Sequence, residues 1–340
     1  MSIRFPAEWE SCEAVWVAWP HRESTWPGHF DKIPAAMVRL IHEIARWVPV
    51  RILVGSEHHE TCRRLVPPSA AIELIPIETN DCWIRDYGPT FAFQNDSLVG
   101  IDWKFNAWGN SAAQPFDLDA AVSRQICDRI SVPRVPVKLT LEGGALETDG
   151  AGRLLAHAGC LANANRNPGY GRKDLARAMH QLLGIHEIAW IDGDALDGDD
   201  TGGHIDQVAR FIDGRNVVVA TCNDPNDPNA LTLRHNRRQL ELWASQTTPQ
   251  VEIHSLPIPP RREIKGQPIP QSYCNFLRIG PRSVLVPTFD SPQSDQHALG
   301  LLSELCPNAD VVGVDCSELS WGLGAIHCLT CQQPVGSIRK

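Results

Sequence analysis

Five stretches of this chain place apolar residues at spacings of three and four, the period of one helix face. In residues 33–48 the face is Met37, Leu40, Ile41, Ile44 and Val48. The same rule predicts four more helices, carrying Leu118, Ala121, Val122 and Ile126; Leu175, Met179, Leu182 and Leu183; Leu233, Leu240, Trp243 and Ala244; and Ala298, Leu301, Leu302 and Leu305. Between them lie short apolar runs at residues 14–19, 50–54, 72–75, 137–141, 217–220, 283–286, 311–314 and 325–329, which read as strands. Strands and helices alternate, so the expected class is α/β. The helices start about 55 to 85 residues apart, a spacing compatible with a repeated supersecondary unit. No Ser/Gly-rich or charged linker interrupts the alternation, and the most polar loop, residues 223–229, is too short to divide domains. Residues 1–340 are therefore expected to form a single domain, and five comparable units favour a ring over an open sheet.

Charge narrows the range of partners. There are 40 acidic residues against 31 basic ones, a formal charge of −9, and no Lys/Arg run that could follow a phosphate backbone. Nucleic acid and anionic membrane are excluded as expected partners. No segment approaches the ~18 apolar residues of a membrane span, and the start, MSIRFPAEWE, has no apolar leader core. The 11 cysteines are scattered and odd in number, which fits buried thiols in a reducing compartment and a cytoplasmic location. Trp9, Trp16, Trp19, Trp26, Trp83, Trp103 and Trp108 crowd the first third, either as core or as walls of a pocket for a cation.

Four segments carry candidate chemistry. Near the C-terminus, Gly322 and Gly324 lead into the apolar run that displays Cys328, and a thiol becomes nucleophilic when nearby positive charge lowers its pKa. Cys328 and Cys331 also form a C-x-x-C, a pattern shared with redox and zinc sites. In Gly203-His204-Ile205-Asp206, a strand would put His204 and Asp206 on one face, offering a base beside a carboxylate that can take forked hydrogen bonds from a guanidinium. Two metal ligands would show the same pattern. In Trp83-Ile84-Arg85-Asp86, Asp86 is either an ion-pair partner of Arg85 or an acid in a Trp83-walled pocket. Glu142 closes an apolar strand and precedes two glycines, where a carboxylate can orient a histidine or hold a substrate.

Taken together, these segments resemble the agmatine deiminase family of guanidino-modifying enzymes, relatives of arginine and peptidylarginine deiminases. The resemblance runs through Phe5-Pro6-Ala7-Glu8-Trp9-Glu10, Trp19-Pro20, Trp83 to Asp86, Phe105-Asn106-Ala107-Trp108-Gly109, Glu142-Gly143-Gly144, Asn165-Arg166-Asn167-Pro168, Gly203 to Asp206, Ser272-Tyr273 with Asn275-Phe276, and Ile326-His327-Cys328. It implies a five-bladed, pseudo-fivefold α/β propeller of the pentein type, in agreement with the five helices. It further implies that Cys328 is the nucleophile, His204 the acid and base, Asp86 and Asp206 the guanidinium ligands, Glu142 part of the polar network and Trp83 a pocket wall. The implied substrate is agmatine, a small cationic guanidine, converted to N-carbamoylputrescine and ammonia on the way to polyamines. No metal and no organic cofactor are implied, and a homodimer is compatible with the family.

The chain departs from the family pattern at three places. Leu323 and Ala325 interrupt a run of glycines before the nucleophile, Gly109-Asn110-Ser111 stands where Gly-Gly-Lys is usual, and Cys331 stands where glutamine is common. A deiminase of arginine, peptidyl arginine or a methylated guanidine would use the same groups. A zinc hydrolase ligated by His204, Asp206 and cysteines, or a guanidine-binding protein without catalysis, are the readings from other classes.

Overall fold

The computed structural model describes residues 2–109 and 114–337, so Asn110 and Ser111 lie outside the described residues. The five expected helices are present as Ile33–Ala45, Asp119–Arg129, Arg172–Leu183, Asn229–Ala244 and Pro292–Leu305. Most of each marked face is buried: Met37, Leu40, Ile41 and Ile44 in the first helix and Leu175, Met179 and Leu183 in the third, whereas Val48 falls beyond the end of the first and Leu118 precedes the second and is exposed. The first and last helices carry proline in their opening turn, Pro34 and Pro292, where the missing N–H makes no helical bond. Gly184, at φ +72°, ends the third in the left-handed conformation that glycine adopts freely.

Among the described residues, five sheets repeat one topology. A first strand pairs antiparallel with a second, and the second pairs parallel with a third after a helical crossover, the connection that parallel neighbours require. One unit is Thr90–Gln94, Ser97–Lys104 and Arg134–Thr140; the next is Glu147–Thr148, Arg153–His157 and Glu187–Ile191. Two more are Ala209–Phe211, Asn216–Thr221 and Glu252–Pro257, then Leu277–Ile279, Ser283–Thr288 and Asp310–Asp315. The remaining unit joins the two ends of the chain: Thr330–Pro334 pairs antiparallel with Cys12–Ala18, which pairs parallel with Val50–Leu53. The strand Ile72–Ile75 extends this sheet, Ile3–Arg4 extends that of Thr90–Gln94, and Arg262–Ile264 with Gln267–Ile269 forms a separate hairpin.

Directly before the first strand of every unit the chain makes a tight turn. These turns are Ile84–Tyr87, Gly143–Ala145, Ile205–Gln207, Tyr273–Asn275 and residues 326–329. They touch in a circle. Gly144 N–H donates to Asp86 Oδ1 at 3.0 Å, and the Gly143–Ala145 turn packs on Ile205–Gln207, which packs on Tyr273–Asn275. The His327 N–H then donates to Asn275 O at 3.2 Å, and the Arg85 N–H returns to Cys328 O at 3.2 Å.

The strand expected at residues 325–329 is not formed. Leu323 takes a left-handed φ of +71°, and the segment folds into successive turns closed by Leu329 N–H to Ala325 O and Thr330 N–H to His327 O. Its apolar character reflects burial of Ala325, Ile326 and Leu329 on all sides, which a run of five residues displays in a turn as well as in a strand. Of the tryptophans in the first third, Trp16, Trp19, Trp26, Trp83 and Trp103 are core, and Trp9 and Trp108 are partly buried. Among the described residues no helix is long and apolar enough to cross a membrane.

Candidate active site

The circle of turns brings together Asp86, Glu142, His204, Asp206 and Cys328. Gly144 lies at its centre: a Cβ there would stand 2.5 Å from His204 Nδ1, 2.9 Å from Asp86 Oδ1 and 3.1 Å from Asp206 Oδ2. Only hydrogen fits, which gives the second glycine after Glu142 a steric reason.

His204 and Asp206 do not share a strand face. Ile205–Gln207 is a single 3₁₀ turn entered through Gly202 and Gly203, both at positive φ, with Asp199 accepting the N–H groups of Thr201 and Gly203. The two side chains meet through the tight turn rather than through strand alternation, since Ile205 alone is too little apolar signal to separate the two conformations.

His204 is 1% exposed, with Nδ1 3.6 Å from Asp86 Oδ1 and Nε2 3.6 Å from Glu142 Oε2; neither nitrogen has a hydrogen-bond partner closer in. Burial works against its charge, yet the Asp86 carboxylate, then Cys160 and Glu142, hold the imidazole pKa well above its ordinary value. Asp86 accepts from Gly144 N and, at 2.8 Å, from Trp108 Nε1. Burial raises its pKa to about 6, with His204 opposing and Asp206 adding to the rise. Glu142 is fully buried; both of its oxygens accept from Arg166 Nε, at 2.8 and 2.9 Å, and Oε2 also accepts from Cys160 Sγ at 3.9 Å. Burial pushes its pKa up, but His204 and Arg166 overcome that and hold it low.

Cys328 is 7% exposed, and its thiol sits 3.1 Å from Asn275 Nδ2 and 3.7 Å from Asp206 Oδ2. Burial, then the Asp206 and Asp86 charges, push its pKa well above the ordinary thiol value, which favours the protonated thiol at neutral pH. Asp206 is buried; its Oδ2 lies 2.7 Å from His327 Nδ1 and its Oδ1 has no partner. Its pKa is lowered because His327 and His204 outweigh burial. Trp83 packs on Trp26 with ring centroids 5.6 Å apart, and Gly322 and Gly324 press so closely on it that added Cβ atoms would come within 2.8 and 2.6 Å of its ring. Cys331 lies apart from this thiol's partners and donates to Pro89 O.

Glu142 Oε2, Cys160 Sγ and His204 Nε2 also gather within 4.8 Å, the spacing of metal ligands. Arg166 already delivers a fixed positive charge to both oxygens of Glu142, where a divalent cation would have to sit. Asp206 is outside this group, bound instead to His327.

Sequence reasoning left several neighbours without roles. Trp108, Arg166, Asn275 and His327 stand inside the quoted motifs, so the signal was present, but which atom each side chain meets becomes visible only when distant turns are closed into a circle. Cys160 lies between Glu142 and His204 and carried no motif signal of its own.

The sequence matches the family described as Porphyromonas-type peptidyl-arginine deiminase over residues 4–334. An agmatine deiminase of Pseudomonas syringae pv. tomato is 33% identical, the alignment covering 98% of this chain and 95% of that protein. The solved agmatine deiminase of Enterococcus faecalis superposes with a TM-score of 0.90 at 29% identity, covering 98% of this chain and 96% of the other. An amidinotransferase of Microseira wollei, at 11% identity, 99% coverage of each chain and a TM-score of 0.54, shares the α/β fold alone. With one circle of turns carrying a thiol, an imidazole and three carboxylates, and with these likenesses running nearly end to end, the chain belongs to the agmatine deiminase family.

Proposed function

We propose that the chain, acting as one catalytic domain built as a five-bladed pseudo-fivefold propeller, hydrolyses the guanidino group of agmatine to N-carbamoylputrescine and ammonia. Five repeats of one sheet topology and the circular contact of their turns support the propeller reading. One observation carries the chemistry: Asp86, His204 and Asp206 surround Gly144, with the Cys328 thiol on Asp206.

A guanidinium is resonance-stabilised and a weak electrophile, so it must be held flat while a nucleophile approaches its carbon. Asp86 and Asp206 bind its N–H groups, and Trp83 walls the pocket. The substrate charge offsets the two carboxylates that keep Cys328 protonated. The thiol proton passes to bulk water as the substrate cation binds, and the sulfur keeps the electron pair with which it attacks the guanidinium carbon. His204, charged because Asp86 and Glu142 flank it, gives its proton to the departing nitrogen, which leaves as ammonia. The neutral imidazole then takes a proton from water as the oxygen adds to the S-alkylthiouronium carbon, and collapse expels the sulfur and yields the ureido product. No step calls on a metal or organic cofactor.

The test is ammonia and ureido-product formation from agmatine, with arginine and a short arginine peptide alongside. Turnover of agmatine alone, abolished in Cys328→Ser and indifferent to chelator, is the expected result. Turnover of arginine or the peptide with agmatine inert would replace the substrate, and loss of activity to chelator would move the chemistry to the Glu142, Cys160 and His204 group.

A further inference from the structure

His327 is 1% exposed, and both of its ring nitrogens face carboxylates: Nδ1 lies 2.7 Å from Asp206 Oδ2, and Nε2 lies 2.7 Å from Glu8 Oε1. Glu8 is in turn anchored, its Oε2 accepting from Arg210 Nη2 at 2.6 Å, with Arg85 Nη2 3.6 Å from Oε1. Arg210, also 1% exposed, donates to Glu147 Oε2 and to the carbonyls of Cys274 and Phe276. A buried chain of fixed groups therefore ends on one oxygen of Asp206.

An ionised carboxylate only accepts hydrogen bonds. Two contacts of 2.7 Å on one imidazole thus require two protons among the three groups, as a charged ring between two carboxylates or as a neutral ring beside one protonated acid. In the charged arrangement Nδ1–H holds Asp206 Oδ2, which the Cys328 thiol also faces at 3.7 Å, and leaves Oδ1, buried and without a partner, as the open acceptor. A lone carboxylate turns freely about its last torsion; pinning one oxygen fixes the direction of the other.

We propose that His327 and Glu8 are positioning residues for guanidinium binding: Glu8 fixes the ring so that Nδ1–H holds Asp206 Oδ2, and Asp206 Oδ1 is thereby presented to a guanidinium N–H. This assignment rests on the deiminase reading above and adds to it two residues that need not touch the substrate.

Two amides separate positioning from mere filling of space. In His327→Asn the side-chain N–H replaces Nδ1–H and keeps the bond to Asp206 while giving up Glu8; in His327→Gln the longer side chain reaches Glu8 and gives up Asp206. Both are placed in the Cys328→Ser background, and agmatine binding is measured by titration calorimetry, with urea unfolding of each protein as the stability readout. Asparagine is expected to weaken binding less than about tenfold and glutamine by about ten- to a hundred-and-fiftyfold, with similar unfolding midpoints, as a lost charge-assisted bond of roughly 1.5–3 kcal/mol requires. Glu8→Gln, whose oxygen can keep Arg210 while its N–H meets Nε2, leaves Nδ1–H for Asp206 and is expected to bind within about threefold of the parent. Equal weakening by the two amides, or a greater loss with asparagine, would overturn the positioning role. Absence of agmatine binding in the Cys328→Ser parent itself would overturn the guanidinium reading and this assignment with it.

Discussion

Gly144→Ala adds a single methyl group where three site groups converge. Its backbone φ is not in the left-handed region, so the substitution does not strain the chain. The new carbon would instead stand 2.5 Å from His204 Nδ1 and 2.9 Å from Asp86 Oδ1, each well inside the ~3.5 Å at which such atoms rest. Imidazole and carboxylate must each retreat by several tenths of an ångström or more, and both are held from behind, His204 by Glu142 and Asp86 by Trp108. Overpacking of this kind costs about 1–3 kcal/mol of stability, which a fold of this size tolerates. Displacing a proton donor and a substrate ligand by about 1 Å costs on the order of a hundredfold in rate. The expected outcome is a folded protein, with circular dichroism and cooperative unfolding like the parent, whose kcat/KM for agmatine falls by about a hundredfold or more. Activity within threefold of the parent would refute the claim that these three side chains share one reacting centre. Gly143→Ala is no substitute for this test, because its Cβ would meet the Arg85 carbonyl oxygen at 2.2 Å and the backbone itself would have to move.

Asp86 must be ionised to bind a cation, so with its pKa raised to about 6 the kcat/KM profile is expected to fall as pH drops through that value. Trp108→Phe removes a hydrogen bond that favours the charged carboxylate, and the acid limb should move to higher pH; an unmoved limb would assign it to another group. Arg166→Met strands Glu142 in the core, and breaking such a buried pair costs about 3–5 kcal/mol, readable in urea unfolding at neutral pH. The sign follows from the lowered Glu142 pKa: its contribution is full above the unfolded value of 4.5 and is lost as pH falls below it, so parent and variant stabilities should converge in acid.

The helices were legible because each carries enough residues to show a period; Ile33–Ala45 spans 13 residues and Asn229–Ala244 spans 16, whereas the strands Ser97–Lys104, Arg153–His157, Glu187–Ile191 and Glu252–Pro257 were not read. The hairpin strands that head the units were not, since Glu147–Thr148, Ala209–Phe211 and Leu277–Ile279 have two or three residues and no alternation to read. The turns before them were hidden for the same reason, and the apolar run at 325–329 imitated a strand. Cys328, His204, Asp206, Asp86 and Glu142 nevertheless stand out in the sequence, because each lies in a short motif that resembles the family. Their common placement, one turn before the first strand of a unit, is what the sequence could not show: the units repeat in topology but not in residues. Asn275 occupies that place in its own unit, and its amide meets the Cys328 thiol.

That repetition also governs when the nucleophile becomes active. Arg166 compensates Glu142 and His327 compensates Asp206, whereas Asp86 has two neutral donors and one imidazole held 3.6 Å away. Burial, then the Asp206 and Asp86 carboxylates that face the sulfur, keep the Cys328 thiol protonated. On the proposed reaction a guanidinium would offset those two charges, so that thiolate forms where the electrophilic carbon lies. Alkylation of Cys328 by iodoacetamide, followed by mass spectrometry of its peptide, tests this in the free protein. The rate at pH 8 should be low and still rising toward pH 9, and Asp86→Asn, by deleting one of the two opposing charges, should raise it by about tenfold for each unit that the thiol pKa falls. Rapid alkylation of the parent at neutral pH, unchanged by Asp86→Asn, would mean that the thiolate is present before the substrate arrives and that the carboxylates do not hold it in check.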